Sequence, residues 1–275
     1  MTLLNQQFLL AQRPVGAPTR ETFEFVEKPL GEPGPNQILV KVEYLSIDPA
    51  MRGWLSEEKG TQGLAALRAL AERLHQLGDW AGALVLALPR GGVPVAFEVA
   101  ERLGLELDIL VVRKLGAPGN RELAMGAIAC GGVRVMNPDV VRLSHASQAE
   151  IDATMVQETD ELYRREKAYR ADRPRPVIKG RAVILVDDGL ATGATMRAAA
   201  EAVRKLGATR ITVAVPVAAP ESVAQLERIA DRVVCLHMPY DLYAIGRWYE
   251  LFDQTSDRQV VELLQQAWAR GGEPA

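Results

Sequence analysis

This 275-residue sequence is short of cysteine, histidine and aromatics: it has two Cys, three His and 5% Phe, Trp and Tyr. Cys130 and Cys235 sit in apolar contexts without C-x-x-C spacing. That excludes a disulfide framework or thiolate zinc site and predicts two small buried residues in a reducing compartment. His75, His145 and His237 lack partners at metal-ligand spacing, so none is assigned to a metal. No apolar run reaches the length of a membrane span, and the opening Met1-Thr-Leu-Leu-Asn-Gln-Gln has no basic stretch ahead of an apolar one. The expectation is a cytoplasmic protein with no membrane partner. An excess of charge is missing too: 32 Lys and Arg against 35 Asp and Glu give a formal charge of -3, which leaves no global footprint for nucleic acid. A hydrophobic content of 48% suffices for a core without disulfides. Composition leaves a homo-oligomer open.

What is present is concentrated around three turns. Residues 183–186 are a continuous apolar run rich in β-branched side chains, as in a parallel strand covered on both faces. Asp187 and Asp188 follow at its carboxyl end, where open α/β sheets place ligands. Next come Gly189, Ala191, Gly193 and Ala194, small enough for close backbone approach, with Thr192 and Thr195 as hydroxyl donors. An alanine-rich helix is predicted over 196–206, its amino end offering unpaired N–H groups to an anion. Two acids do not suit a bare phosphate. They suit a ligand that also carries a diol or a hydrated Mg²⁺. Without a ligand, the same residues make an Asp-Gly turn and a capped helix. A dinucleotide loop fits less well, because Gly189 and Gly193 do not give G-x-G-x-x-G and the acids would face a pyrophosphate directly.

The second turn, Pro89-Arg90-Gly91-Gly92, ends an apolar strand at 84–88 and opens a helix over 93–103 with Pro94 in its first turn. An arginine and two glycines at such a junction make a second anion pocket. Third, a strand over 107–112 runs into Arg113-Lys114-Leu-Gly-Ala-Pro-Gly-Asn-Arg121, punctuated enough to predict an irregular, mobile basic lid.

The acid pair and its loop resemble the phosphoribosyl pyrophosphate (PRPP) motif of type I phosphoribosyltransferases. One position departs: Gly189 stands where most of that superfamily has an aliphatic residue. The segments 86–96, 111–120, 125–129 and 214–218 are similar to a bacterial group of phosphoribosyltransferases whose acceptor base is not established, and the similarity runs from about 64 to 268. The resemblance implies an α/β type I phosphoribosyltransferase fold, with a central, mainly parallel sheet flanked by helices. It also implies Mg²⁺ as cofactor, and PRPP and a small nitrogenous acceptor as partners. Asp187 and Asp188 would hold the ribose hydroxyls and, through water, the Mg²⁺; Gly189, Ala191, Thr192, Gly193, Ala194 and Thr195 would take the 5′-phosphate. Arg90, Gly91 and Gly92 would take the pyrophosphate, with a non-proline cis peptide expected between Arg90 and Gly91, and Arg113 and Lys114 would close over the reacting ligand. Many enzymes for 6-oxopurines carry a lysine after the PRPP helix; residues 213–220 have none. The aromatics of an aromatic-poor chain gather after the last predicted core strand, where Tyr240, Trp248 and Tyr249 can stack a heterocycle.

Elsewhere, Leu64, Leu67, Leu70, Ala71, Leu74 and Leu77 recur at helical spacing. Ser147-Gln-Ala-Glu150 caps a charged helix reaching about Arg170, with Glu161–Arg165 and Glu166–Arg170 as i,i+4 pairs on a solvated outer surface. Ser256-Asp-Arg-Gln259 caps a last helix that docks through Val260, Val261, Leu264 and Trp268. Residues 12–19, 32–35 and 38–53, by contrast, resemble the opening of zinc-independent, NADP-dependent medium-chain reductases, a match that covers 5–54 and lacks the rest of that enzyme. Alternation over 38–44 suggests a strand, though a lone hairpin is marginal in water. The organisation expected is a short β-prone appendage over 1–58, a transferase domain over 59–270, a tail over 271–275, and a linker at 56–62. Three readings follow in order: a PRPP-dependent transferase, a PRPP-binding sensor without turnover, and a remote oxidoreductase remnant.

Overall fold

Five short strands pair side by side in parallel in the order β10-β9-β8-β3-β4. They are β3 (Leu84–Ala87), β4 (Glu106–Ile109), β8 (Ala182–Val186), β9 (Arg210–Val217) and β10 (Arg232–His237). Both faces of β3, β8 and β9 are covered, which is why these three lack period-2 alternation. In register, Ala87 lies opposite Val186, so the segments that follow β3 and β8 leave the sheet at the same level. The computed structural model from which this arrangement is read describes residues 4–10, 21, 23–29, 61–78, 80–242, 244–249 and 255–271.

Helices supply the covering layers. The first, α1 (Thr61–Gln76), buries Leu67, Leu70, Ala71 and Leu74 at the expected spacing. α2 (Gly92–Leu103) follows β3, and α5 (Ala194–Lys205) follows β8. α5 buries mostly alanines together with Met196 and Val203, small side chains that let its axis lie close to the strands. The same core holds Leu86, Leu185, Ile211 and Val213 from the sheet and Leu226 of α6 (Pro220–Leu226). α7 (Asp257–Gly271) docks through fully buried Val260 and Leu264, and the Trp268 Nε1 donates to the Leu107 carbonyl at 2.9 Å.

Two expectations need correction here. The strand expected at 107–112 splits: β4 stays in the main sheet, and β5 (Val112–Ala117) starts a separate antiparallel sheet with β6 (Asn120–Ala129) and β7 (Val133–Met136). The basic stretch is therefore a β-hairpin, not an irregular loop. Leu115 and Ala117 are buried in alternation, Ala117 in a small core with Met125 and Ile151. Register shifts around Gly116 and a positive φ of 74° at Gly119 accommodate the irregularity that hid the pattern. After α3 (Pro138–Ser144) comes α4 (Gln148–Arg170), which has the predicted Ser147–Glu150 capping box and a Glu161–Arg165 pair at 2.7 Å. Its carboxyl end, however, is not solvated. Arg170 is 5% exposed and Asp108 2%, with Nη1 donating to Oδ2 at 2.7 Å and Nη2 to the Ile109 carbonyl at 2.9 Å. Glu166, also buried, lies 3.5 Å from Arg170 Nε and accepts from Arg175 Nε and Nη2, both at 2.6 Å.

Cys130 is buried, and burial pushes its thiol up to about 12. Cys235 is only half-buried. By contact the chain divides into Met1–Gly63 with Gly246–Phe252, and Leu64–Ile245 with Asp253–Ala275. Within the smaller unit β1 (Leu4–Leu10) pairs antiparallel with β2 (Phe23–Pro29), with Phe8 opposite Phe25. The strand expected at 38–44, the residues 12–19 and 32–35, linker positions 56–60 and tail positions 272–275 lie outside the described residues; Thr61 and Gln62 already belong to α1.

Candidate functional site

The site is built where two neighbouring parallel strands stop at one level. From β8 the chain runs directly into Asp187 and Asp188, and from β3 into Leu88, Pro89, Arg90, Gly91 and Gly92. The Leu88 N–H donates to the Val186 carbonyl at 2.9 Å, tying the two exits together. Gly92 N–H donates to Leu88 O and Val93 N–H to Arg90 O, both at 3.1 Å, which turns the chain into α2. Gly91 already has helical dihedrals (φ −59°, ψ −33°). The non-proline cis peptide is Pro89–Arg90, one bond earlier than expected.

The two glycines answer to the acid pair. A Cβ on Gly91 would collide with the Asp188 carboxylate, lying 2.6 Å from its Cγ. One on Gly92 would lie 2.6 Å from the Val186 carbonyl and 2.9 Å from Asp187 Cα. Gly91 and Gly92 are thus required by contact, and the turns at 90–92 and 187–188 are adjoining walls of one site.

Electrostatically the acids are held under pressure. Burial pushes Asp187 well above the ordinary carboxylate range, and the neighbouring Asp188 charge adds to that. Burial also raises Asp188. Asp187 Oδ1 accepts the Asp188 N–H at 2.9 Å. A cation or a pair of hydroxyl donors at this position would relieve the charge, whereas a bare anion would aggravate it. Among the described residues no cluster of three or more His, Cys, Asp or Glu could hold a metal alone. Two carboxylates suit Mg²⁺, which keeps several waters and takes further oxygens from a phosphorylated ligand.

Beyond the acids, Leu190 turns inward to the core, its N–H donating to Val217 O and its carbonyl accepting from Ala219, both at 2.9 Å. This leaves Ala191 and Thr192 exposed at the rim. Ser222 Oγ donates to the Ala191 carbonyl at 2.6 Å, and Thr192 Oγ1 accepts from the Ala194 N–H at 3.5 Å. Gly193 caps α5 with a left-handed φ of 65°, so Ala194 and Thr195 form the helix's first turn with its dipole aimed at the loop. The departure at Gly189 also has a steric account. A Cβ there would lie 2.8 Å from Ile245 Cγ2 and 3.0 Å from both Val217 Cγ1 and Val217 O; Ile245 fills the space an aliphatic side chain would take.

The basic and aromatic candidates fare differently. Arg113 does not stand ready over the acids: its Nε and Nη2 bond Glu158 of α4 at 2.7 and 2.6 Å. Lys114 is the next residue of β5, and successive side chains of a strand leave opposite faces. The two cations therefore do not act as one pair on one side of the hairpin. Arg90 lies 3.7 Å from Asp257 of α7. Tyr240, 95% exposed, follows β10 at the carboxyl edge of the sheet. Trp248, 45% exposed and ending the 3₁₀ turn Ile245–Trp248, belongs with Tyr249 to the smaller unit. Glu158, Asp257, Ser222 and Ile245 are missed by sequence reasoning. Only Asp257 carries a local signal, its place in a capping box; the contacts that matter join residues far apart in the chain.

Comparison with known proteins finds two families along the chain. The family described as "Phosphoribosyl transferase domain" matches residues 58–245, and "N-terminal domain of oxidoreductase" matches residues 6–68. A Mycobacterium tuberculosis protein with a provisional phosphoribosyl transferase name is 48% identical over 213 residues, covering 78% of this chain and 47% of that protein. The chain thus spans about half the length of the curated relatives it matches in this region. A Thermus thermophilus protein of known structure is 47% identical with a TM-score of 0.66, covering 73% of this chain and 95% of that one. At the other end, the NADPH-dependent curcumin reductase of Escherichia coli is 46% identical over 88 residues, 28% of this chain and 26% of the reductase. With the family match spanning both turns of the site, the chain belongs to the phosphoribosyl transferase domain family and carries ahead of that domain a segment resembling the amino end of NADP-dependent oxidoreductases.

Proposed function

We propose that the chain transfers the 5-phosphoribosyl group of PRPP to a nitrogenous acceptor with release of pyrophosphate, and that residues 59–270 form the transferase domain. The observation that carries this reading is the abutment of Gly91 on the Asp188 carboxylate. It makes one site from an acidic turn suited to a diol and a basic turn suited to a phosphate anion.

Each part has a task. Asp187 and Asp188 accept hydrogen bonds from the ribose hydroxyls. The backbone of 189–195 and the amino end of α5 receive the 5′-phosphate, with Thr192 and Thr195 as hydroxyl donors. Arg90 and the Gly91 and Gly92 amides receive the pyrophosphate, and Lys114 on the β5–β6 hairpin adds charge to it. Mg²⁺, which Asp187 and Asp188 would hold through water, neutralises leaving-group charge when bound. The acceptor nitrogen bonds to C1 as the C1–O bond to pyrophosphate breaks, and the surplus proton on nitrogen passes to a carboxylate of the pair or to water. The carboxylates favour the positive charge that develops on the ribose at the transition state. The raised acids serve both as ligands and as proton acceptors. The exposed Tyr240 ring offers a stacking face at the carboxyl edge of the sheet. Reductase activity is not expected from residues 1–58, which match 26% of the reductase at most.

Pyrophosphate release from PRPP and Mg²⁺ across a panel of purine and pyrimidine bases and small amines tests the proposal. Release stimulated by one acceptor is expected. PRPP binding without release by any of them would replace the transferase with a PRPP sensor.

A further inference from the structure

Arg90 carries the charge of its turn on a long, rotatable side chain, and the turn's backbone bonds do not fix where the guanidinium points. An acid from another element faces it. Asp257 Oδ1 lies 3.7 Å from Arg90 Nη1, and the same oxygen accepts a hydrogen bond from the Tyr169 hydroxyl at 2.7 Å. Tyr169 is buried near the end of α4, and burial followed by the Asp257 contact pushes its phenol up to about 12, so it remains a donor at any physiological pH. Asp257 is the first residue of α7, where the helix dipole favours a carboxylate. α7 in turn is anchored by buried Val260 and Leu264 and by the Trp268 bond to β4. The carboxylate is thus held from behind by two docked helices and faces the basic turn.

We propose that Asp257 is a positioning residue for Arg90: supported by Tyr169, it orients the guanidinium for the pyrophosphate end of PRPP. The inference rests on the function proposed above. An arginine fork has five N–H donors, so engagement of Nη1 with Asp257 is compatible with a phosphate on the rest of the fork. Pre-orientation lowers the entropy lost when the ligand arrives.

The test is calorimetric titration of PRPP with Mg²⁺ into the full chain as wild type, Asp257→Asn, Arg90→Gln and the double variant. Asp257→Asn should weaken PRPP about threefold to fivefold, the scale of an exposed ion pair, and add almost nothing once Arg90 is Gln, because it acts only through Arg90. Tyr169→Phe should weaken binding in the same direction by less, and Asp257→Glu should recover most of the wild-type affinity. A merely structural Asp257 would give additive losses and a lower melting temperature in both backgrounds, which overturns the inference. Unchanged or tighter PRPP binding by Asp257→Asn does the same. Wild-type protein that gives no heat with PRPP removes the underlying function and this inference with it, whereas a binding wild type with an indifferent Asp257→Asn removes the inference alone.

Discussion

Two pockets of carboxylates in the same domain receive opposite treatment. Asp108 on β4 is nearly sealed from solvent and answered by Arg170, which also bonds the next carbonyl. Asp187 and Asp188 stand side by side at the end of β8, and the Asp188 charge works against Asp187 rather than for it. Burial raises the acids in both places, and at Asp108 the Arg170 guanidinium offsets part of it. A buried charge answered by an arginine belongs to the fold, and on the proposed function the raised acid pair belongs to the ligand site.

The comparison is broken most severely at Arg170. Arg170→Ala leaves Asp108 and Glu166 buried without that partner and should cost about 3–5 kcal/mol in urea unfolding, whereas replacing Asp108 and Arg170 together by Leu and Met should cost far less. A loss below about 1 kcal/mol for Arg170→Ala would remove the distinction between the pockets. Next in size is Gly91→Ala. The added Cβ collides with the Asp188 carboxylate and should cost about 1–3 kcal/mol of stability as the turn is displaced, with PRPP affinity falling at least tenfold. Gly104→Ala, at a left-handed helix end where a Cβ meets nothing, should leave PRPP binding intact and isolate the effect of the site.

Asp187→Asn goes the other way. Because the folded acid sits above its unfolded value, the folded chain binds more protons than the unfolded one. Stability therefore falls as pH rises from the ordinary carboxylate range to the raised value. Removing the charge should raise the melting temperature by about 2–4 °C at neutral pH, on the scale of 1 kcal/mol, and flatten that pH dependence, while PRPP and Mg²⁺ binding declines. Wild-type PRPP binding with Mg²⁺ should correspondingly strengthen as pH rises through the raised value and the pair ionises. A variant less stable than wild type at neutral pH would count against tension in the pair. The smallest effect belongs to Glu158→Gln. It frees Arg113 from α4 and should change stability by less than about 1 kcal/mol, with a modest change in KM for PRPP and little in kcat.

Both turns of the site were legible in the sequence because each is local: an apolar run ends, the punctuation is Asp-Asp-Gly or Arg-Gly-Gly, and a helix begins. The strands that lead into them, β3 and β8, were legible for the same reason. The β5–β6 hairpin was not, since glycines and a bulge around 116 mask the inward alternation of Leu115 and Ala117. The partners of the cations were not legible either. Glu158 reaches Arg113 across 45 positions, and Glu166 with Arg170 looked like an exposed i,i+4 pair because the sequence does not show Asp108 waiting 62 positions away. The abutment of Gly91 on Asp188 is a fact of register between β3 and β8, and no local pattern carries it.

Isothermal titration of PRPP with Mg²⁺ into the wild type and Asp188→Asn reads the central claim most directly. The account predicts saturable binding by the wild type, Mg²⁺ dependence, and at least tenfold weaker binding by a normally folded Asp188→Asn, the scale of one charge-assisted hydrogen bond. No heat from the wild type, or equal affinity in the two proteins, would contradict it.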